Sequence, residues 1–200
     1  MKRMVYISLC LLLIFCLSAC QTQSDGLNFA ADGKPDAVKA AFSNGGVFEL
    51  SGVPWETMEA DVVKSPTALF GTEPKQVYSN HTDSLSSTTV TYPCTFAGHT
   101  GELSLYFISG GLEYVRFDFE DEDQAALYTA LLDTLENAFG EAEPTDTIPL
   151  TGENGRTTKT PVGYEWTLDG TEMRLSCNML ALTEGRYEQV AVILDRSAKN

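Results

Sequence analysis

His81 and His99 are the first residues to weigh for chemistry, because imidazole titrates near neutrality and ligates metals. Both fall in polar, loop-like stretches. Neither has a second histidine or a cysteine at the spacing of a metal site. A Ser-His-Asp set assembles in space, not in sequence, so a hydrolase using His81 or His99 stays on the table as a third reading. No nucleophile-elbow pattern and no phosphate-cradling glycine loop supports it. The densest charge is Asp118, Glu120, Asp121, Glu122 and Asp123. A calcium loop counted from Asp118 would place glycine sixth and glutamate twelfth; those positions hold Asp123 and Thr129. The run reads instead as negative charge at the start of a helix. With 28 acidic residues some carboxylate pairs must lie close by chance, and no apolar setting marks one for acid–base work. No catalytic residue, metal ligand or cofactor site is therefore assigned, and the chain is read as a non-enzyme.

The clearest chemistry is a covalent modification. The chain opens with Lys2 and Arg3, runs apolar from Met4 to Leu17, and reaches Leu17-Ser18-Ala19-Cys20. A basic start, an apolar middle and small residues before a cut make a secretory signal. The run is shorter than the about 20 apolar residues of a membrane span. With cysteine directly after the small residues, the segment resembles a bacterial lipoprotein signal. That resemblance implies cleavage before Cys20 and a diacylglyceryl group on its sulfur. Two acyl chains, at about 0.8 kcal/mol per buried methylene, hold a domain where one would leak off. The expected location is the extracytoplasmic face of the cell membrane, reached through the N-terminal lipid. Cys10 and Cys16 leave with the signal, so Cys94 and Cys177 remain. Export permits a disulfide between them, and buried free thiols are the equal alternative.

Loss of Lys2 and Arg3 leaves 11 basic and 28 acidic residues, a net charge of −17. That field repels nucleic acid, which is excluded as a partner. A hydrophobic fraction of 43% marks a globular chain. Residues 1–19 read as the signal and 20–46 as the lipidated cysteine and a flexible tether. A short helix over Asp36–Phe42 is the one element expected there.

The remainder shows self-similarity. Leu69-Phe70-Gly71-Thr72-Glu73-Pro74 resembles Ala138-Phe139-Gly140-Glu141-Ala142-Glu143-Pro144. Each glycine sits where a helix takes a left-handed closing residue. Leu127, Leu131, Leu132, Leu135, Ala138 and Phe139 recur at three- and four-residue steps, which predicts a helix. Trp55, Met58, Val62 and Val63 form a looser stripe after Pro54. Four strand-like runs follow each segment: 75–80, 88–96, 102–108 and 112–119, then 145–150, 158–168, 171–179 and 188–195. Leu103, Leu105 and Phe107 alternate as Met173, Leu175 and Cys177 do. Val115, Phe117 and Phe119 match Val190, Val192 and Leu194. The expectation is an α+β fold: a tandem repeat of a helical segment plus a four-stranded antiparallel meander, helices on one face, with units at 47–120 and 121–200.

Gly52-Val53-Pro54-Trp55 before a helix, closed by Phe70-Gly71, together with this repeat resembles the beta-lactamase-inhibitor-protein-like architecture. Envelope lipoproteins of the SmpA/OmlA type are similar. The resemblance implies a protein-binding domain that uses a broad sheet face. By parity the face opposite the helices carries Ser104, Tyr106, Tyr114, Arg116 and Asp118 in one half. In the other it carries Glu172, Arg174, Ser176, Asn178, Gln189, Ala191 and Ile193. Tyr106, Tyr114 and Arg116 are the assigned partner-binding residues, since tyrosine and arginine give large contact area with a polar tip. The expected function is a lipid-anchored adaptor that binds an envelope or extracellular protein as a monomer. The alternative, from the inhibitor-like architecture, is inhibition of a secreted or envelope enzyme through the loop tips 80–87 and 151–157.

Overall fold

The computed structural model describes residues 26–82, 86–119, 121–151, 157–178 and 189–196. Strand β1 (Leu27–Phe29) and helix α1 (Pro35–Phe42) come first. A two-strand hairpin follows, β2 (Ser43–Asn44) with β3 (Val47–Phe48), then a short helix, α2 (Glu59–Lys64). Four strands come next: β4 (Gln76–His81), β5 (Ser86–Phe96), β6 (His99–Ile108) and β7 (Gly111–Phe119). Helix α3 (Gln124–Phe139) leads to β8 (Glu143–Thr151), β9 (Thr157–Leu168), β10 (Thr171–Asn178) and β11 (Gln189–Asp195).

Nine strands form one sheet in the order β1-β5-β6-β7-β11-β10-β9-β8, with β4 also paired to β5. β5 is long enough to serve two neighbours along one edge. β4 runs antiparallel beside Ser86–Thr91, and β1 runs parallel beside Cys94–Phe96. The two strand runs meet through their last members. β7 and β11 pair antiparallel from Tyr114↔Asp195 to Phe119↔Val190.

This architecture corrects the expected fold class. The protein is mostly β, a large mixed sheet with three helices, and not an α+β repeat of helix over meander. The first helical segment fails as a layer. α2 spans only Glu59–Lys64, and Val62 is its one buried residue. Met58 and Val63, expected on its stripe, are 49% and 42% exposed. Pro54 and Pro66 bound the segment and limit its length. Trp55 is buried outside any helix, its indole N–H donating to the Phe48 carbonyl at 2.8 Å.

α1 and α3 supply the cover instead. Val38, Ala41 and Phe42 of α1 are buried, as are Leu127, Tyr128, Leu131, Leu135 and Ala138 of α3. The Asp123 carboxylate caps α3 by accepting from the Ala126 amide at 3.0 Å. Residues 27–46, expected in the tether, are thus part of the folded domain. Beneath the helices the strands alternate: Leu103, Leu105, Phe107, Val115, Phe117, Met173, Leu175, Val190, Val192 and Leu194 are all buried in one core. Phe117 lies at an aromatic centre, its ring 5.5 Å from Phe29, 5.3 Å from Phe42 and 6.2 Å from Phe96.

Cys94 and Cys177 are free and buried. They occupy one row across the sheet, Cys94–Gly101–Phe119–Val190–Cys177. Four inter-strand steps place them about 19 Å apart. A disulfide needs Cα atoms within about 7 Å. Burial pushes the Cys94 thiol up to about 12 and the Cys177 thiol up to about 11. In the folded protein neither should react with a thiol–disulfide reagent at pH 8, and both should react once guanidinium unfolds the chain. Mass spectrometry of the labelled peptides checks this; a peptide linking the two cysteines would contradict it.

Candidate functional site

The sheet face turned away from α1 and α3 is built by cross-strand register. Tyr106 of β6 and Tyr114 of β7 are direct partners. Their rings stack with centroids 4.1 Å apart and planes at 16°. The next row brings Ser104 and Arg116 opposite each other, and Ile193 and Arg174 continue it into the second strand run. A register shift follows Tyr106, where β7 carries an extra residue opposite β6. Such a bulge increases local twist and re-aims side chains.

Two ion pairs tie the face together. Arg116 and Asp118 sit two residues apart on β7, so their side chains share one face. The Arg116 Nε donates to the Asp118 carboxylate at 2.8 Å, and Nη2 lies 2.7 Å from it. Gln189 of β11 donates to the same carboxylate at 2.8 Å. This hydrogen bond crosses the junction between the two strand runs. The Arg174 Nη2 lies 3.3 Å from Asp195 Oδ2. The hydrogen bond from Asp118 raises the Arg116 guanidinium further, and burial is not enough to offset it. Burial pushes the Tyr114 phenol up, with Tyr106 adding to the effect. Tyr114 therefore stays protonated across the physiological range and can donate a hydrogen bond.

Three assigned residues, Tyr106, Tyr114 and Arg116, are therefore neighbours, half-buried among one another. The structure also shows what parity alone did not. Ser104, Ala191 and Glu172 lie on the same face yet are buried under longer neighbours. Ser104 and Thr91 hydroxyls are 3.0 Å apart. The contacting surface is thus made by the long side chains, not by every residue of the right parity. Asp195 also belongs to the site, opposite Tyr114. Its signal was present: it holds the same parity as Ile193 in the last strand.

The residues weighed for chemistry are dispersed. His81 ends β4 and its Nδ1 is 2.7 Å from the Ser86 hydroxyl. His99 opens β6 opposite Phe96. Ser86 and Phe96 are the two ends of β5, so the histidines stand about 34 Å apart. They cannot share one site. Asp121 and Asp123 serve the start of α3: the Asp121 carboxylate accepts from the Asp123 amide at 2.9 Å. Among the described residues no group of three or more His, Cys, Asp or Glu could hold a metal ion, and no helix is long and apolar enough to cross a membrane. Cys20, the signal at 1–19, and the loop-tip residues 83–85 and 152–156 lie outside the described residues.

A cavity of about 270 Å³ opens at the far edge of the sheet, between the end of α3 and β9. Phe48, Phe139, Trp166 and Leu168 line it with Glu141, Glu143 and Glu165. The Trp166 indole N–H is committed to the Gly140 carbonyl at 2.8 Å, which fixes the ring as a wall. No family model, no curated protein and no solved structure matches the chain.

Proposed function

We propose that this protein is a lipid-anchored, extracytoplasmic binding module that captures another envelope or extracellular protein through its open sheet face, without catalysing a reaction. The observation that carries this reading is the Tyr106–Tyr114 stack set beside the Arg116–Asp118 pair. Stacked, half-buried rings present contact area with little conformational entropy left to lose on binding. An arginine held by a carboxylate is likewise already oriented. The lipoprotein-like start of the chain supports a membrane-tethered role, with Cys20 as the attachment point.

Substituting Tyr106, Tyr114 and Arg116 together by Ala tests the face. Loss of the stack costs about 1 kcal/mol of stability, so the domain stays folded. Binding should weaken at least about 30-fold, since anchors of this type contribute about 2 kcal/mol or more. The measurement is crosslinking of the tethered protein in intact cells, wild type against the triple variant, with partners identified by mass spectrometry. Equal recovery of the same partner by both would remove the face from consideration. Replacing Cys20 by Ser should release the protein from the membrane fraction, and continued sedimentation with membranes would count against lipidation.

A further inference from the structure

β4 is an edge strand with none of the usual protection. All six of its residues are exposed, and among the described residues nothing pairs with its outer side. Native edges are blunted by charge, proline, bulges or a cover, because a free row of N–H and C=O groups templates further pairing. Gln76–His81 contains no Asp, Glu, Lys, Arg or Pro. Its register with β5 runs unbroken from Gln76↔Thr91 to His81↔Ser86. The opposite edge, β8, is treated differently. It contains Pro144 and Pro149, and its register with β9 breaks twice. One edge of this sheet is closed to pairing, and the other is open.

The open edge is also adhesive. Val77 and Tyr78 are 42% and 58% exposed. As successive strand residues they point to opposite faces, so an added strand would meet apolar surface on both sides. Tyr78 lies in the same row as Tyr106 and Tyr114, through Thr89. A strand laid along β4 therefore widens the face already described.

We propose that β4 is a strand-addition site that takes an extended, basic segment of a partner protein. Charge selects the occupant. The chain carries a net −15, so a second copy would bring two strongly acidic bodies edge to edge. A segment with lysine or arginine between β-branched residues meets attraction instead. The inference rests on the reading of the protein as a binding module, but not on the Tyr106–Tyr114–Arg116 face.

The probe is an acetylated, amidated Lys-Val-Thr-Val-Arg-Val-Lys peptide, titrated into the protein while amide hydrogen exchange of residues 76–81 is followed. Exchange at the outward-facing amides should slow at least tenfold. The same peptide with N-methyl groups along both edges keeps its side chains and loses its backbone donors; it should bind at least tenfold more weakly. So should a version with Glu at every basic position. A Val77→Lys, Tyr78→Lys variant should lose the effect while β5 amides stay protected. Absence of protection at millimolar basic peptide overturns the proposal, as does equal binding of the N-methylated peptide. Protection of 76–81 that appears without peptide and grows with protein concentration overturns it in favour of self-association. The Tyr106, Tyr114, Arg116→Ala variant should retain peptide protection. Peptide protection with unaffected partner capture by that variant sinks the face and keeps the edge; the reverse pattern sinks the edge alone.

Discussion

Phe117→Ala lowers the stability of the domain by about 3–5 kcal/mol, the range for deleting a fully buried phenylalanine. Phe117 is fully buried, and its ring meets Phe29, Phe42 and Phe96 and stacks on Phe119 at 6.4 Å. Those neighbours come from β1, α1, β5 and β7, so the ring joins the first elements of the chain to the sheet. Guanidinium unfolding followed by tryptophan fluorescence measures the loss. Because Phe29 and Phe42 lose a shared partner, residues 26–46 should also become cleavable by protease at denaturant concentrations that leave the wild type intact. A loss near 1 kcal/mol, with 26–46 still resistant, would mean that the early elements are held elsewhere.

Gly101→Val is the second severe case, and its mechanism is opposite. Gly101 lies on β6 between Cys94 of β5 and Phe119 of β7. A Cβ at this position would meet the Asp118 carbonyl oxygen at 2.2 Å and the Phe119 Cα at 3.1 Å. Both are backbone atoms, so no side chain can swing aside. β7 would have to separate from β6, or the β6–β7 register break, at a cost of about 3 kcal/mol or more. The same carbonyl belongs to the residue whose carboxylate holds Arg116, so the exposed face should loosen too. Amide exchange of 116–119 should rise in Gly101→Val while amides near Tyr106 and Tyr114 change less. Gly101→Ala should show the same pattern at smaller amplitude. Wild-type stability in Gly101→Val would show that β7 has slack there.

The strands could be read from the chain because an antiparallel strand with one wet face must alternate. Leu103, Leu105 and Phe107 can only line one side of a strand, and Tyr106 must then take the other. α3 was legible for the same kind of reason, from its stripe of leucines and its Asp123 cap. What could not be read is pairing between distant segments. Nothing local in Val115–Phe119 or Val190–Leu194 says that these strands adjoin, and their union replaces two sheets with one. β1 was hidden by its length: Leu27–Phe29 is three residues in a polar stretch, too short for a period to show. α1 did carry a signal, since Val38, Ala41 and Phe42 fall at helical spacing, but its docking on α3 and the aromatic centre is tertiary. The helical segment after Pro54 misled because Trp55, Met58, Val62 and Val63 fit a stripe while the flanking prolines allowed barely more than one turn. At the face, parity placed Tyr106, Tyr114 and Arg116 together. Their stack and the clamp across to Gln189 depend on register and on the bulge after Tyr106.

The position of β11 sets a timetable. It is the last strand in sequence, yet it lies in the middle of the sheet, between β7 and β10. While the polypeptide is being made and exported from its N-terminal end, β4 to β7 can zip together early, but β7 then waits with one flank bare. That vacancy closes only when residues near 195 have emerged, and until then the two strand runs have no bond between them. A ribosome stall or a premature stop a few codons short of that point would therefore leave a half-built sheet with a sticky interior strand on show, the form that quality-control proteases and holding chaperones are built to catch.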